Sequence, residues 1–166
     1  NILDYDGGVD LPDNVISKLD VVIASFHPIC LKPGSKEENT NAFLKVMDNP
    51  YVHILGHPED GKVPIDFELV VKKAKRTNTL IELNNGSLKP GGSRFNSYEN
   101  AKKLLDVCRQ EGAFITISSD AHYTSSVGEH AFALNLIKET NFPEELIINT
   151  SVEKFKNFIR HKQKSI

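Results

Sequence analysis

Four polar clusters stand directly after apolar, β-rich runs of this chain: His27-Pro28, His57-Pro58, Asn84-Asn85 and Asp120-Ala121-His122. Imidazole nitrogen and carboxylate oxygen are ligands of choice for Zn, Mn and Fe. Asp120 and His122, at i and i+2, point the same way if the backbone is extended, so the pair could grip one metal ion. A lone histidine at a strand end is ordinarily a hydrogen-bonded structural residue. Two His-Pro turns and an Asp-x-His at equivalent positions call for a common explanation instead. A divalent ion with open coordination positions lowers the pKa of bound water towards neutrality and polarises a phosphoryl oxygen. Metal-assisted hydrolysis is therefore the chemistry to expect, with His27, His57, Asp120 and His122 as candidate ligands.

A second candidate is the loop 86–96 (GSLKPGGSRFN), which combines Gly86, Gly91 and Gly92 with Lys89, Ser93 and Arg94. A planar guanidinium can hold phosphate in a two-pronged contact, and glycines let backbone N–H groups approach an oxyanion. The alternative is a surface loop whose basic residues are merely solvated. His53, His130 and His161 fall inside a strand, inside a helix and near the tail, and read as structural or solvated. Cys30 lies close enough to His27 for a thiolate to bind Zn, though its loop position suits a bystander thiol. Glu59 and Asp60 read either as supports for a ligand or as solvated turn residues.

The elements that must position these groups are short. Strands are expected at 21–26 (VVIASF), 51–55 (YVHIL), 79–83 (TLIEL) and 113–117 (AFITI). Helical periodicity covers 66–76, where Phe67, Val70, Val71 and Ala74 share a face, and 97–111, where Ala101, Leu104, Leu105 and Cys108 do so. Cys108 is accordingly expected in the core. A weaker helix is expected at 37–48 and another at about 126–139. A last helix should be opened by a Thr150-x-x-Glu153 capping box and packed through Val152, Phe155 and Ile159. Strands separated by helical crossovers give an α/β domain with parallel pairing, read as one domain over 1–166. In such architectures the C-terminal strand ends converge on one face, so the four polar clusters should meet.

With 39% apolar and 25% charged residues among 166, the chain can bury a core without disulfides or structural metal. A net charge of −2 with both signs interspersed gives no electrostatic footprint for stable nucleic-acid binding. The two cysteines lack CxxC spacing, which suits a reducing, cytoplasmic compartment. No apolar run approaches the roughly 18 residues of a membrane span.

The ordered set DVVIASFHP, YVHILGHPED, LIELNN with its following loop, and ISSDAH resembles successive motifs of the polymerase and histidinol phosphatase (PHP) superfamily, and most closely its small bacterial phosphatase branch. The resemblance spans nearly the whole chain. It implies a distorted seven-stranded, TIM-like β/α barrel holding two or three divalent ions (Zn, Mn, Fe or Mg) and hydrolysing a small phosphorylated substrate. Position by position it makes His27, His57, Asp120 and His122 metal ligands; Arg94 and Ser93 are candidate phosphate contacts. The family also opens with a His-x-His strand, further histidines and a glutamate, none of which is present, and residues 1–11 resemble the segment after that glutamate. The chain is thus expected to be the C-terminal part of a barrel, a poor enzyme alone, with an open sheet edge covered by the missing segment or by self-association. Two other readings are a non-catalytic PHP interaction module and a PHP-type 3′-5′ exonuclease; the charge balance and the absence of a polymerase domain weigh against the latter.

Overall fold

Apolar residues bounded by turn-forming polar ones give this chain short strands, each followed by a helix that returns it to the same end of the sheet. A computed structural model describes residues 1–164, without the side chains of His161, Gln163 and Lys164, so the expectation for His161 lies outside the described residues. In chain order the elements are α1 (Asp13–Ile16), β1 (Ile23–Ser25), α2 (Lys36–Val46), β2 (Ile54–Gly56), α3 (Phe67–Arg76), β3 (Leu80–Asn84), α4 (Ser97–Glu111), β4 (Ile115–Ser118), α5 (Ala131–Thr140) and α6 (Val152–Lys164). The strands form one parallel sheet in the order β1-β2-β3-β4. This is the expected α/β class with crossover helices. The described strands number four, in an open sheet.

Alternation along the strands separates two faces. Ala24, Leu55, Ile81, Leu83, Ile115 and Ile117 join the main core with the buried sides of α2 to α5. Cys108 lies fully buried in the α4 stripe, as its periodicity requires, and burial pushes its thiol up to about 12. On the opposite face Ile54 and Leu80 meet Ile148 and Ile159, with Phe155 and Phe158 alongside. Glu82, Thr116 and Ser118 share that face and line an open groove of about 850 Å³ against α6.

Sheet edges are handled by side chains as well as strands. Asn149 brackets Ile117 on the outer side of β4: its Oδ1 accepts the Ile117 N–H at 3.0 Å and its Nδ2 donates to the Ile117 carbonyl at 2.7 Å. At the other edge the Ile2 N–H donates to the Ser25 carbonyl.

Helix starts correct several expectations. α2 opens on a reciprocal capping box between Ser35 and Glu38, and α3 on Asp66, whose Oδ1 accepts the Leu69 N–H. α6 is capped by Ser151, which accepts the Lys154 N–H at 3.1 Å, and not by Thr150. Val152 consequently lies on the first turn facing solvent, 71% exposed, and does not pack the helix. α5 begins at residue 131 and not near 126, because a short 3-10 turn at Thr124–Ser126 and Gly128 at φ +81° break the helix upstream. Its start is set from a distance: Asn85 Oδ1, at the end of β3, accepts the N–H groups of Phe132 and Ala133 at 3.0 and 3.1 Å.

That borrowed cap gives a direct test. Asn85→Ala leaves two helix-terminal N–H groups without their acceptor and is expected to cost about 1 kcal/mol, as lost N-caps do. Urea denaturation of the two proteins measures it, with Asn85→Asp retaining most of the stability.

Candidate functional site

His27 and His57 follow β1 and β2 directly, and because those strands are parallel neighbours the two imidazoles meet. Their Nε2 atoms lie 3.0 Å apart, with the rings tilted at 56°. His27 Nδ1 is 2.7 Å from Asn1 Oδ1. An amide oxygen at Nδ1 fixes the proton there and turns the Nε2 lone pair of His27 towards His57. Burial lowers the pKa of both histidines, and the nearby Arg94 charge lowers it further; for His57 the result is about 4. At neutral pH both rings are therefore uncharged, the form in which imidazole ligates a metal.

His57 is placed by a residue that pattern reading missed. Its backbone turns left-handed, with φ +35°, and its N–H donates to Glu82 Oε2 at 2.7 Å. The same oxygen accepts Asn84 Nδ2 at 3.1 Å, while Glu82 Oε1 takes the Ser118 hydroxyl. Glu82 thus ties the ends of β2, β3 and β4 together from within a buried strand. The available signal was a lone acid in the apolar run LIEL, since such a residue is almost never fully buried without partners.

Asp120 lies after β4 with its Oδ2 3.0 Å from Arg94 Nη1, both side chains largely buried. Burial raises the Asp120 carboxyl, but the Arg94 hydrogen bond and charge outweigh it and hold the pKa below the usual carboxylate value. Gly86 makes room for this arrangement: a Cβ there would lie 3.2 Å from Asp120 Cβ and 3.2 Å from Asn84 Oδ1. The backbone at Asp120 is left-handed, with φ +50°, and not extended. His122 therefore does not accompany Asp120 into the site; it is exposed, with Nδ1 turned back onto the Asp120 carbonyl at 2.9 Å. Among the described residues no group of three or more His, Cys, Asp and Glu stands ready to hold a metal ion. His27 and His57, with the charge of Asp120 acting on both, suit one end of such a site.

The loop after β3 is more ordered than a glycine-rich cradle. Residues Gly86–Leu88 form a 3-10 turn, and the N–H groups of Ser87, Leu88, Lys89 and Gly92 are spent on acceptors within the segment 84–89. Lys89 pairs with Glu129. Ser93 is exposed, and its carbonyl accepts Lys62 Nζ. Arg94 is left as the loop's contribution to the site.

Glu59 and Asp60 are not solvated turn residues. Asp60 Oδ1 accepts the Lys62 and Phe95 N–H groups at 3.0 and 3.1 Å. Glu59 is 1% exposed, and neither carboxyl oxygen has a hydrogen-bond partner among the described residues. Burial pushes its pKa up to about 8, against a smaller opposing pull from Ser87. His53 is structural, as expected, but precedes β2 instead of lying within it; its Nδ1 accepts the Val22 N–H and burial lowers its pKa to about 4, while Cys30 is exposed in its loop. His130 is the residue preceding α5.

The fold and site define an α/β protein with histidine and acidic side chains gathered at the C-terminal ends of parallel strands. No family model matches the chain. Curated relatives do. A "Probable phosphatase" of Clostridium botulinum (strain Langeland) is 47% identical over 164 residues, covering 99% of this chain and 66% of the relative. One from Acetivibrio thermocellus is 42% identical over 166 residues, covering the whole chain and 68% of the relative. One from Caldicellulosiruptor saccharolyticus is 41% identical over the same span, again covering 68%. The chain belongs to this family of probable phosphatases and spans about two thirds of its relatives' length. Among the described residues no helix is long and apolar enough to cross a membrane.

The Glu59 environment predicts a pH dependence of stability. The fold keeps this carboxyl protonated up to about pH 8, whereas the unfolded chain ionises it near 4.5. The unfolded state then binds fewer protons, so the stability present below pH 4.5 is lost as pH rises towards 8. Glu59→Gln should flatten that decline by up to about 1.4 kcal/mol per pH unit. Denaturant melts of both proteins at pH 5 and pH 7 measure the difference, and parallel pH dependences would refute it.

Proposed function

We propose that this chain carries part of the active site of a metal-dependent phosphatase acting on small phosphomonoesters. The observation that carries the reading is the convergence of two uncharged imidazoles, His27 and His57, whose Nε2 atoms lie 3.0 Å apart beside an ionised Asp120. His27 and His57, with Asp120 near by, would supply one end of a site for a divalent ion (Zn, Mn, Fe or Mg) that further ligands complete, with His122 joining them only if its side chain turns inward. When bound, such ions supply Lewis acidity and a water of lowered pKa. The chain's own residues do the positioning: Asn1 orients His27, Glu82 holds the His57 backbone, and Arg94 offers a guanidinium to a phosphoryl oxygen, with Ser93 beside it. The names of the relatives support phosphate-ester hydrolysis. The PHP resemblance implies that the remaining ligands belong to a barrel larger than the four-stranded sheet, and the two cysteines without CxxC spacing suit the cytoplasm.

A specific observation favours a second reading, a non-catalytic interaction module: Asp120 is engaged by Arg94, and His122 faces solvent. Elemental analysis separates the two, since two or three tightly held ions per molecule in a polypeptide of the relatives' full length support the enzyme. In that polypeptide, hydrolysis of p-nitrophenyl phosphate with added Mn²⁺ is expected to be abolished by His57→Ala with Asp120→Ala. Activity surviving the double substitution would sink the site assignment. A DNA cleavage assay run beside it tests the exonuclease alternative.

A further inference from the structure

The turn after β2 and the loop after β3 are laced together around one residue. Gly61 N–H donates to the Phe95 carbonyl at 2.7 Å, the Phe95 N–H donates to Asp60 Oδ1 at 3.1 Å, and Lys62 Nζ donates to the Ser93 carbonyl at 2.5 Å. Asn100 Nδ2 adds a bond to the Glu59 carbonyl at 2.9 Å. Arg94 lies between the two bonded positions, Ser93 and Phe95, and its guanidinium reaches into the site to Asp120. The side chains flanking Arg94 add no burial to these bonds: Ser93 and Phe95 are exposed, Phe95 by 65%. A long side chain on an unsupported loop would lose many conformations on gripping an anion, whereas one whose flanking peptide groups are fixed loses few.

We propose that Asp60, Gly61 and Lys62 are positioning residues for anion capture, acting through the backbone of Ser93 and Phe95 to hold Arg94 where a phosphoryl group binds. The inference rests on the reading of Arg94 as the phosphate contact. Asp60 is buried, with its Oδ1 shared between the two N–H groups of Lys62 and Phe95, so a carboxyl in this turn serves the neighbouring loop as well as its own. Gly61 is required for closeness and not for backbone freedom. A Cβ there would meet the Phe95 carbonyl oxygen at 2.6 Å and Asn100 Nδ2 at 3.1 Å, while its φ lies outside the left-handed region. Alanine at this position is therefore a steric wedge between the loops with no other backbone penalty.

Inorganic phosphate titrated into the protein by calorimetry tests the proposal without reference to turnover. Gly61→Ala, Asp60→Ala and Lys62→Met should each weaken phosphate binding, the first two by about tenfold as pre-organisation is lost. In an Arg94→Ala background they should cause no further loss, because they act through Arg94. Asp60→Asn, which retains the Oδ1 acceptor, should bind within about twofold of the parent. Lys62 is exposed, so Lys62→Met reports on the clasp even if the wedge at Gly61 unfolds the protein. Wild-type binding by Lys62→Met and Asp60→Ala, alongside weakened binding by Arg94→Ala, would overturn the positioning role. Equal effects of the turn variants with and without Arg94 would also overturn it. Wild-type binding by Arg94→Ala would overturn the underlying phosphate contact instead.

Discussion

A carboxyl group buried in the middle of a sheet must find donors, and Glu82 finds them in three different strand ends. It accepts the backbone N–H of His57 after β2, the side-chain amide of Asn84 at the end of its own strand, and the hydroxyl of Ser118 at the end of β4. Left without them, an acid at 5% exposure would cost several kcal/mol. The same contacts hold a left-handed turn at His57, a conformation that a residue with a Cβ adopts only at a cost of about 1–2 kcal/mol. The strain at His57 and the burial of Glu82 support one another, and the imidazole of His57 points at His27 as a result.

Around that tie burial and one cation together set several protonation states. Burial is the larger cause lowering the pKa values of His27 and His57; Arg94 lowers them further and, through its bond to Asp120, holds that carboxyl below its usual value. The outcome is two neutral nitrogen bases beside an anion. Glu59, enclosed beneath this arrangement, is uncharged for the opposite reason: burial dominates, and the nearby Glu82 charge adds to it while Arg94 only partly offsets it. Two acids within one small region thus take opposite forms because one has a guanidinium at hydrogen-bond distance and the other does not.

The family relationship and the geometry bear on different parts of the molecule. Identity of 41–47% runs along the whole chain, so the family relationship covers the sheet and its helices as a unit. Their length exceeds that of this chain by about half, and the sheet described here leaves β1 with only the Ile2 contact on its outer side.

Period and spacing in the sequence determined the α/β class, the four strands, the two amphipathic helices α3 and α4, the burial of Cys108 and the adjacency of His27 and His57. These follow from local rules: apolar runs seek burial, and parallel strands bring their C-terminal ends to one side. What only the tertiary structure decided were the partners of polar groups distant in sequence. Asn85 caps a helix 47 residues away, Asp60 serves Phe95 rather than water, and Glu82 gathers three strand ends. Their spacing pairs Asp120 and His122 on extended backbone, yet a left-handed residue at Asp120 sends His122 outward. Hydrogen bonds are satisfied by whatever the fold brings within about 3 Å, and a linear pattern carries the need for a partner without saying which residue will meet it.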